Sequence, residues 1–326
     1  MVVDDNGFKK FDAAIMAGGP TAPFARDLPN KTFIKIRGRC LFAHVLHALL
    51  NARRIQRIFV VGPQQAVEKE LAADAGLSLS RKPVTVIPES RNLIDNMFNA
   101  FTASIEGYHS GEELNNAALL EKPIFGVAGD CPLILPEEVD QFLERCDLSR
   151  YDYFVGMTPE ETLKRFYGRQ GRGGIRLIYT PFAEGLLRIN NMHLAKPFRI
   201  ANRHDLHEMY QLRHLRKIMN IVKFGYGLSK RGLTAEEWRV CVKMFTAIKA
   251  RRMGFARFAE SLRSRSPMAT VVGAVDKMLG TRSTVVLTTY GGAALDVDRP
   301  SNAPLFETNF DEWIRLQKNG SIINDR

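Results

Sequence analysis

Residues 13–17 (AAIMA) form an uncharged, wholly apolar run that stops at Gly18-Gly19. A run of this kind marks a strand covered on both faces, because a half-solvated strand alternates apolar and polar residues. It constrains the fold more than any other stretch, since a doubly covered strand belongs in the middle of a mostly parallel sheet. A loop with three prolines and Arg26 follows, and then Lys31 in Pro29-Asn30-Lys31. A glycine lets backbone approach a ligand closely, and a strand feeding a glycine loop that ends in a cation suits a polyphosphate.

Downstream, strand and helix patterns alternate. A helix is predicted over 41–52, a strand over 58–61 closed by Gly62, a helix over 64–75 and a strand over 84–87. Asn92 is placed to cap a helix reaching about residue 105. A buried strand over 123–128 then ends in Gly129-Asp130-Cys131-Pro132, and Pro136 opens a helix with Glu137 and Glu138 at its positive end. Further strands are predicted over 153–157, 175–179 and 188–192. The alternation implies an α/β fold: a three-layer, doubly wound, mostly parallel sheet. Ligands of such sheets bind beyond the carboxyl ends of the strands, where Gly18-Gly19, the loop 88–92 and Asp130 all fall.

From Asp205 to about Met278 helical spacing replaces this pattern. Thr234-Ala-Glu-Glu237 reads as a capping box ahead of Trp238, Cys241, Met244 and Ile248. A strand over 284–288 follows. Asp296 and Asp298 flank Val297 as if on one face of a strand, and a last helix is expected from near Thr308. The expected domains are a core in two parts, 1–190 and 281–326, interrupted by a helical insertion over 191–280.

Hydrophobic residues at 45% and charged residues at 25% are those of an ordinary globular protein, and no apolar run approaches the roughly 18 residues of a bilayer span. MVVDDNGFKK lacks the apolar centre of a signal peptide. Cys40, Cys131, Cys146 and Cys241 are scattered without a CxxC, which implies a reduced, cytoplasmic protein. The net charge is +11, and residues 195–265 alone carry 17 Lys or Arg against 5 Asp or Glu, a net of +12. That segment interleaves its cations with Trp238, Phe245, Phe255 and Phe258. It reads as a lid, as a homodimer interface, or as a peripheral contact with anionic lipid at the inner face of a membrane. No nucleic-acid module is recognised in it. His204, His207 and His214 have no carboxylate or thiol at ligand spacing, so no metal is expected there.

The stretch AAIMAGGP…LPNKTFIKIRGRCLFAHVLHALLNA…IFVVG resembles the opening of the GT-A-type nucleotidyltransferases. That group includes the sugar-phosphate nucleotidylyltransferases and the molybdenum-cofactor guanylyltransferase-like enzymes. The resemblance implies nucleotide contacts from Ala17, Gly18 and Gly19 and a triphosphate contact from Lys31. Thr21 and Pro23 stand where family members carry a third glycine and an arginine, a role left here to Arg26. Gly129-Asp130-Cys-Pro-Leu matches the family motif whose Asp binds catalytic Mg²⁺. ALDVDRPS resembles the late segment that returns a second metal ligand, assigned to Asp298 with Asp296 in reserve. Glu89, Ser90 and Asn92 would lie beside the base, and Arg169, Arg172, Asn190 and Asn191 beside the acceptor. The implied reaction joins NMP from an NTP to a phosphorylated small-molecule or lipid acceptor and releases pyrophosphate. Two other classes share the fold: a GT-A glycosyltransferase, against which Pro-Asn-Lys argues, and a non-catalytic nucleotide-binding protein, which the altered loop motivates.

Overall fold

The computed structural model describes residues 2–3, 8–19, 27–74, 76, 82–114, 116–168, 173–175, 177–202, 232–263 and 266–324. The first half runs β1 (Val2–Val3), β2 (Lys9–Met16), β3 (Lys35–Ile36), β4 (Arg39–Cys40), α1 (Leu41–Asn51), β5 (Ile55–Gly62), α2 (Gln64–Ala73), β6 (Val84–Pro88), α3 (Leu93–Ala103) and α4 (Ala117–Leu120). There follow β7 (Ile124–Ala128), α5 (Pro136–Glu144), β8 (Tyr153–Pro159), α6 (Glu160–Leu163), β9 (Thr180–Phe182) and β10 (Gly185–Ala195). The chain closes with α7 (Ala235–Arg252), α8 (Ala256–Arg263), α9 (Met268–Leu279), β11 (Ser283–Leu287) and α10 (Ala303–Asn324).

The apolar run over 13–17 behaves as its composition requires. β2 lies inside a nine-stranded sheet of order β11-β8-β10-β7-β2-β5-β6, with β1 paired to β2 and β9 to β10. Its side chains alternate between two cores. Ala13 and Ile15 join Ile58, Val60, Phe125 and Val127 under α1 and α5, while Ala14 and Met16 join Phe59, Val61 and Phe101 under α3. This is the three-layer arrangement expected of strands buried on both faces. β2, β5, β6 and β7 are mutually parallel, and β8 is parallel to β11. β10 alone among the long strands runs against its neighbours β7 and β8. The fold is thus of the mainly parallel, Rossmann-like α/β class.

Several elements differ from expectation. Residues 177–179 make no strand: Ile175 and Tyr179 are buried against Phe166, Leu295 and Trp313, so they serve as apolar anchors of an extended loop. β10 is an eleven-residue strand running to Ala195, beyond residue 190. Asp296 and Asp298 lie outside any ladder, and the segment is tied instead by Val297 N–H donating to Asp130 O at 2.9 Å. The last helix starts at Ala303, with Pro304 tolerated in its first turn. Thr308 therefore sits mid-helix, its hydroxyl donating to Pro304 O at 2.9 Å, and caps nothing. The capping box at Thr234 is present, with Glu237 N–H 3.2 Å from Thr234 Oγ1 and Thr234 N–H 2.7 Å from Glu237 Oε2. Among the described residues no helix is long and apolar enough to cross a membrane. His204, His207 and His214 lie outside the described residues.

One buried charge stands out. Asp12, near the start of β2, accepts from Arg57 at 2.6 and 2.8 Å, from Lys122 at 2.9 Å and from Gln56 at 3.0 Å. Burial alone would raise its pKa, but the two cations outweigh it and hold the carboxyl below its ordinary value. Its stabilisation is present in full above that ordinary value and is lost as pH falls through the lowered one. Asp12→Ala strands a guanidinium and an ammonium, and urea unfolding at neutral pH is expected to show a loss of about 3–5 kcal/mol. A loss below about 1 kcal/mol would show the cluster to be a solvated surface arrangement.

Candidate active site

The site forms where β2 and β7, neighbours in the sheet, both end. Gly129 N–H donates to Met16 O at 2.9 Å, and a Cβ on Gly129 would sit 2.8 Å from that same oxygen. Only glycine lets the two strand ends close in this way, and the closure sets Asp130 beside the loop that leaves β2.

Lys31 reaches the same point through a short helical turn, Lys31–Phe33, capped by Asn30. Asn30 is buried. Its Nδ2 donates to Ala17 O at 2.8 Å, and its Oδ1 accepts from Thr32 N–H at 2.8 Å. The Thr32 hydroxyl lies 3.0 Å from the same Ala17 carbonyl. The turn carrying the lysine is thereby clamped to the end of β2. Sequence reading missed this role, although a polar residue just ahead of a helical turn is a capping signal.

The acids converge on that lysine. Lys31 Nζ is 2.5 Å from Asp130 Oδ2 and 3.0 Å from Asp298 Oδ1. Carboxylate oxygens of Asp130, Asp296 and Asp298 all lie within 4.8 Å of one another. Asp296, held in reserve on sequence grounds, is part of the cluster, paired with Arg188 of β10. Arg188 also donates through Nε to Ala294 O at 2.8 Å. Sequence reading gave Arg188 no role, because its partner lies more than a hundred residues away. Burial would lower the Lys31 pKa, yet the charges of Asp130 and Asp298 raise it above the ordinary lysine range. Burial likewise favours neutral Asp298, but Lys31 outweighs it and holds that carboxyl low. Asp296 goes the other way: burial raises it, Arg188 opposes, and the neighbouring acids add to the rise. Three carboxylates facing one ammonium and one guanidinium leave surplus negative charge. A hard donor set of this kind fits an oxygen-seeking divalent cation such as Mg²⁺.

Glu138 of α5, which sequence reading placed only near a helix start, holds the turn leading to Asp296. It is wholly buried and accepts from Gly291 N–H at 3.0 Å, Ala293 N–H at 2.9 Å and the Thr288 hydroxyl at 3.2 Å. Burial pushes its pKa up to about 7 against those donors. Asn191, at φ +60° in the bulge between Ile189 and His193, adds a bond from Nδ2 to Ala293 O at 3.2 Å.

The remaining expected residues divide. Glu89 lies over the Gly18-Gly19 backbone, with Gly19 N–H donating to Oε2 at 2.9 Å; a carboxylate there shows that this N–H can receive an anion. Ser90 N–H is bound to Asn96 Oδ1 at 2.5 Å. Asn92 is the helix cap that its position implied: Oδ1 accepts from Ile94 N–H and Asp95 N–H, and Nδ2 donates to Asp95 at 2.7 Å. Asn190 is corrected from an acceptor contact to an internal strut, fully buried with Nδ2 2.9 Å from Thr288 Oγ1. Arg26, Thr21, Pro23, Arg169 and Arg172 lie outside the described residues.

The fold has solved likenesses. A hypothetical transferase from Thermus thermophilus matches at TM-score 0.60 and 20% identity, over 90% of this chain and 99% of that one, a likeness of fold. Two more distant ones are 4-diphosphocytidyl-2C-methyl-D-erythritol synthase from Anaerococcus prevotii and a CMP:2-keto-3-deoxy-manno-octonic acid synthetase complexed with CTP. The first has TM-score 0.47, 11% identity and coverage of 93% and 96%, and the second 0.46, 13%, 93% and 99%. No curated protein sequence matches the chain. The family model of the MobA-like NTP transferase domain matches residues 13–227. A match that begins in the first buried strand and runs unbroken past Lys31, Asp130 and Asn191 covers well over half of the sequence, and by it the chain belongs to the MobA-like NTP transferase domain family, as a nucleotidyltransferase.

Proposed function

We propose that this nucleotidyltransferase moves NMP from an NTP to a phosphate-bearing acceptor, releases pyrophosphate, and requires Mg²⁺. The observation that supports this most is the meeting of Lys31 with Asp130, Asp296 and Asp298 beside the Gly18-Gly19 backbone. Asp130 and Asp298 would hold the cation, with Asp296 as the third carboxylate. Bound there, Mg²⁺ would supply charge neutralisation at the phosphates.

The chain's own groups then have defined work. Gly18 and Gly19 present backbone close to the nucleotide, and the Gly19 N–H receives an anionic oxygen once Glu89 moves off. Lys31 turns from the carboxylates to the triphosphate and offsets its charge. An acceptor phosphate oxygen attacks the α-phosphorus, and the bond from that phosphorus to the bridging oxygen breaks. The electron pair leaves with pyrophosphate. The attacking oxygen is already anionic, so no general base is needed, and alignment with charge neutralisation suffices. In this reading residues up to Ala195 and from 281 onward are the catalytic core, and the helical segment between them is an insertion.

Pyrophosphate release, assayed with the four NTPs against sugar, alditol, cofactor and lipid phosphates, is expected to vanish with a chelator and return with Mg²⁺. Asp130→Ala and Asp298→Ala are expected to lower it about a hundredfold or more, with unfolding midpoints near the parent's. Parent-like release from either variant would remove that residue from the site.

Lys31→Met keeps the length and removes the charge. It is expected to slow NMP transfer about tenfold or more, while Mn²⁺ alone, followed by electron paramagnetic resonance, binds more tightly because a competing cation has gone. Unchanged transfer together with unchanged Mn²⁺ affinity would make Lys31 a solvated lysine.

A further inference from the structure

The helical segment exposes an apolar tip at the turn between α7 and α8. Gly254, at φ +89°, closes that turn, and Phe255 N–H donates back to Ala250 O at 2.9 Å. This is a Schellman-type stop that fixes the hairpin's geometry. Ala247, Ala250 and Ala259 pack the inside of the hairpin with Leu262. On the outside, Met253 is 63% exposed, Phe255 59% and Phe258 53%, and Val242 extends the same face along α7. Large apolar side chains are usually covered, so three of them exposed within six residues of one turn mark a contact surface.

Charge identifies the partner. Between residues 249 and 263 the sequence carries Lys249, Arg251, Arg252, Arg257 and Arg263 against the single acid Glu260. Lys249 and Arg257 are exposed and carry no ion pair among the described residues. Two copies of this tip would bring cations against cations, which disfavours self-association. Exposed apolar side chains on a segment that also exposes Lys249 and Arg257 match an anionic lipid surface, where the aromatic rings enter the interface and the cations meet headgroup phosphates.

Placement adds a reason. β9 pairs with Gly185, Leu186 and Leu187 of β10, on the edge that β7 occupies further along and vacates at Ala128, two residues before Asp130. Met244 of α7 and Met268 of α9 pack against the cluster that Phe182 of β9 forms with Met157 and Leu187, and Ala183 N–H donates to Ser266 O at 3.0 Å. The hairpin is therefore seated on the carboxyl-end side of the sheet, where the acid cluster lies.

We propose that the α7–α8 tip is a docking surface for an anionic lipid bilayer. Docking needs neither nucleotide nor metal, so it stands apart from the transfer reaction. The test is co-sedimentation of the full chain with vesicles of phosphatidylcholine, with and without phosphatidylglycerol, at low and high salt. The parent protein is expected to pellet only with the phosphatidylglycerol vesicles, and less at high salt. Phe255→Ser with Phe258→Ser is expected to weaken that partition about a hundredfold, with an unchanged unfolding midpoint and unchanged pyrophosphate release on soluble acceptors. Three results would overturn the proposal. One is binding that the serine variant retains, or no binding at all. Another is a variant that unfolds several degrees earlier, which would place the rings in an internal packing. The third is a parent dimer in sedimentation that the variant abolishes, which would assign the tip to a second copy.

Discussion

Three carboxylates held within 4.8 Å of one another are the constraint around which this end of the molecule is arranged. At an effective dielectric of about 20, each such pair repels by roughly 3–4 kcal/mol. Folding brings them together only because cations are delivered to the same place. Lys31 arrives on a turn clamped to Ala17 by Asn30, and Arg188 arrives from the antiparallel strand to meet Asp296. Glu138 and Asn191 then hold the backbone that carries Asp296 and Asp298 back to Asp130. The cluster's repulsion is thus offset in large part by two cations, with negative charge left over for a metal to neutralise.

Much of the fold was legible because it depends on local pattern. Residues 13–17 are apolar on both faces and became a doubly covered strand; Thr234 and Glu237 formed the capping box; Gly129-Asp130 ended a buried strand as expected. The failures share a cause. Ile175 and Tyr179 look like strand residues, yet they are buried against α10, an element more than a hundred residues later. Thr308 looks like a cap, but the helix gains its start from the turn at Pro300–Asn302. Asn190 was read as an acceptor contact, and its burial against Thr288 depends on a neighbour that periodicity does not reveal.

The site followed the same division. Lys31 and Asp130 lie beside recognisable glycine motifs, so they could be named from the sequence. Asp298 was named and Asp296 held in reserve, whereas the geometry keeps both carboxylates in the cluster, one on Lys31 and one on Arg188. Arg188, Asn30 and Glu138 act through partners distant in the chain or through backbone N–H groups. Such roles leave no trace in composition or spacing.

The most direct test of this account is a crystal structure with Mn²⁺ and a non-hydrolysable NTP. Anomalous scattering is predicted to place the ion between Asp130 and Asp298, with Lys31 Nζ released from both and moved to the triphosphate. A nucleotide bound with the Lys31–Asp130 pair intact, or an ion lying away from these carboxylates, would contradict it.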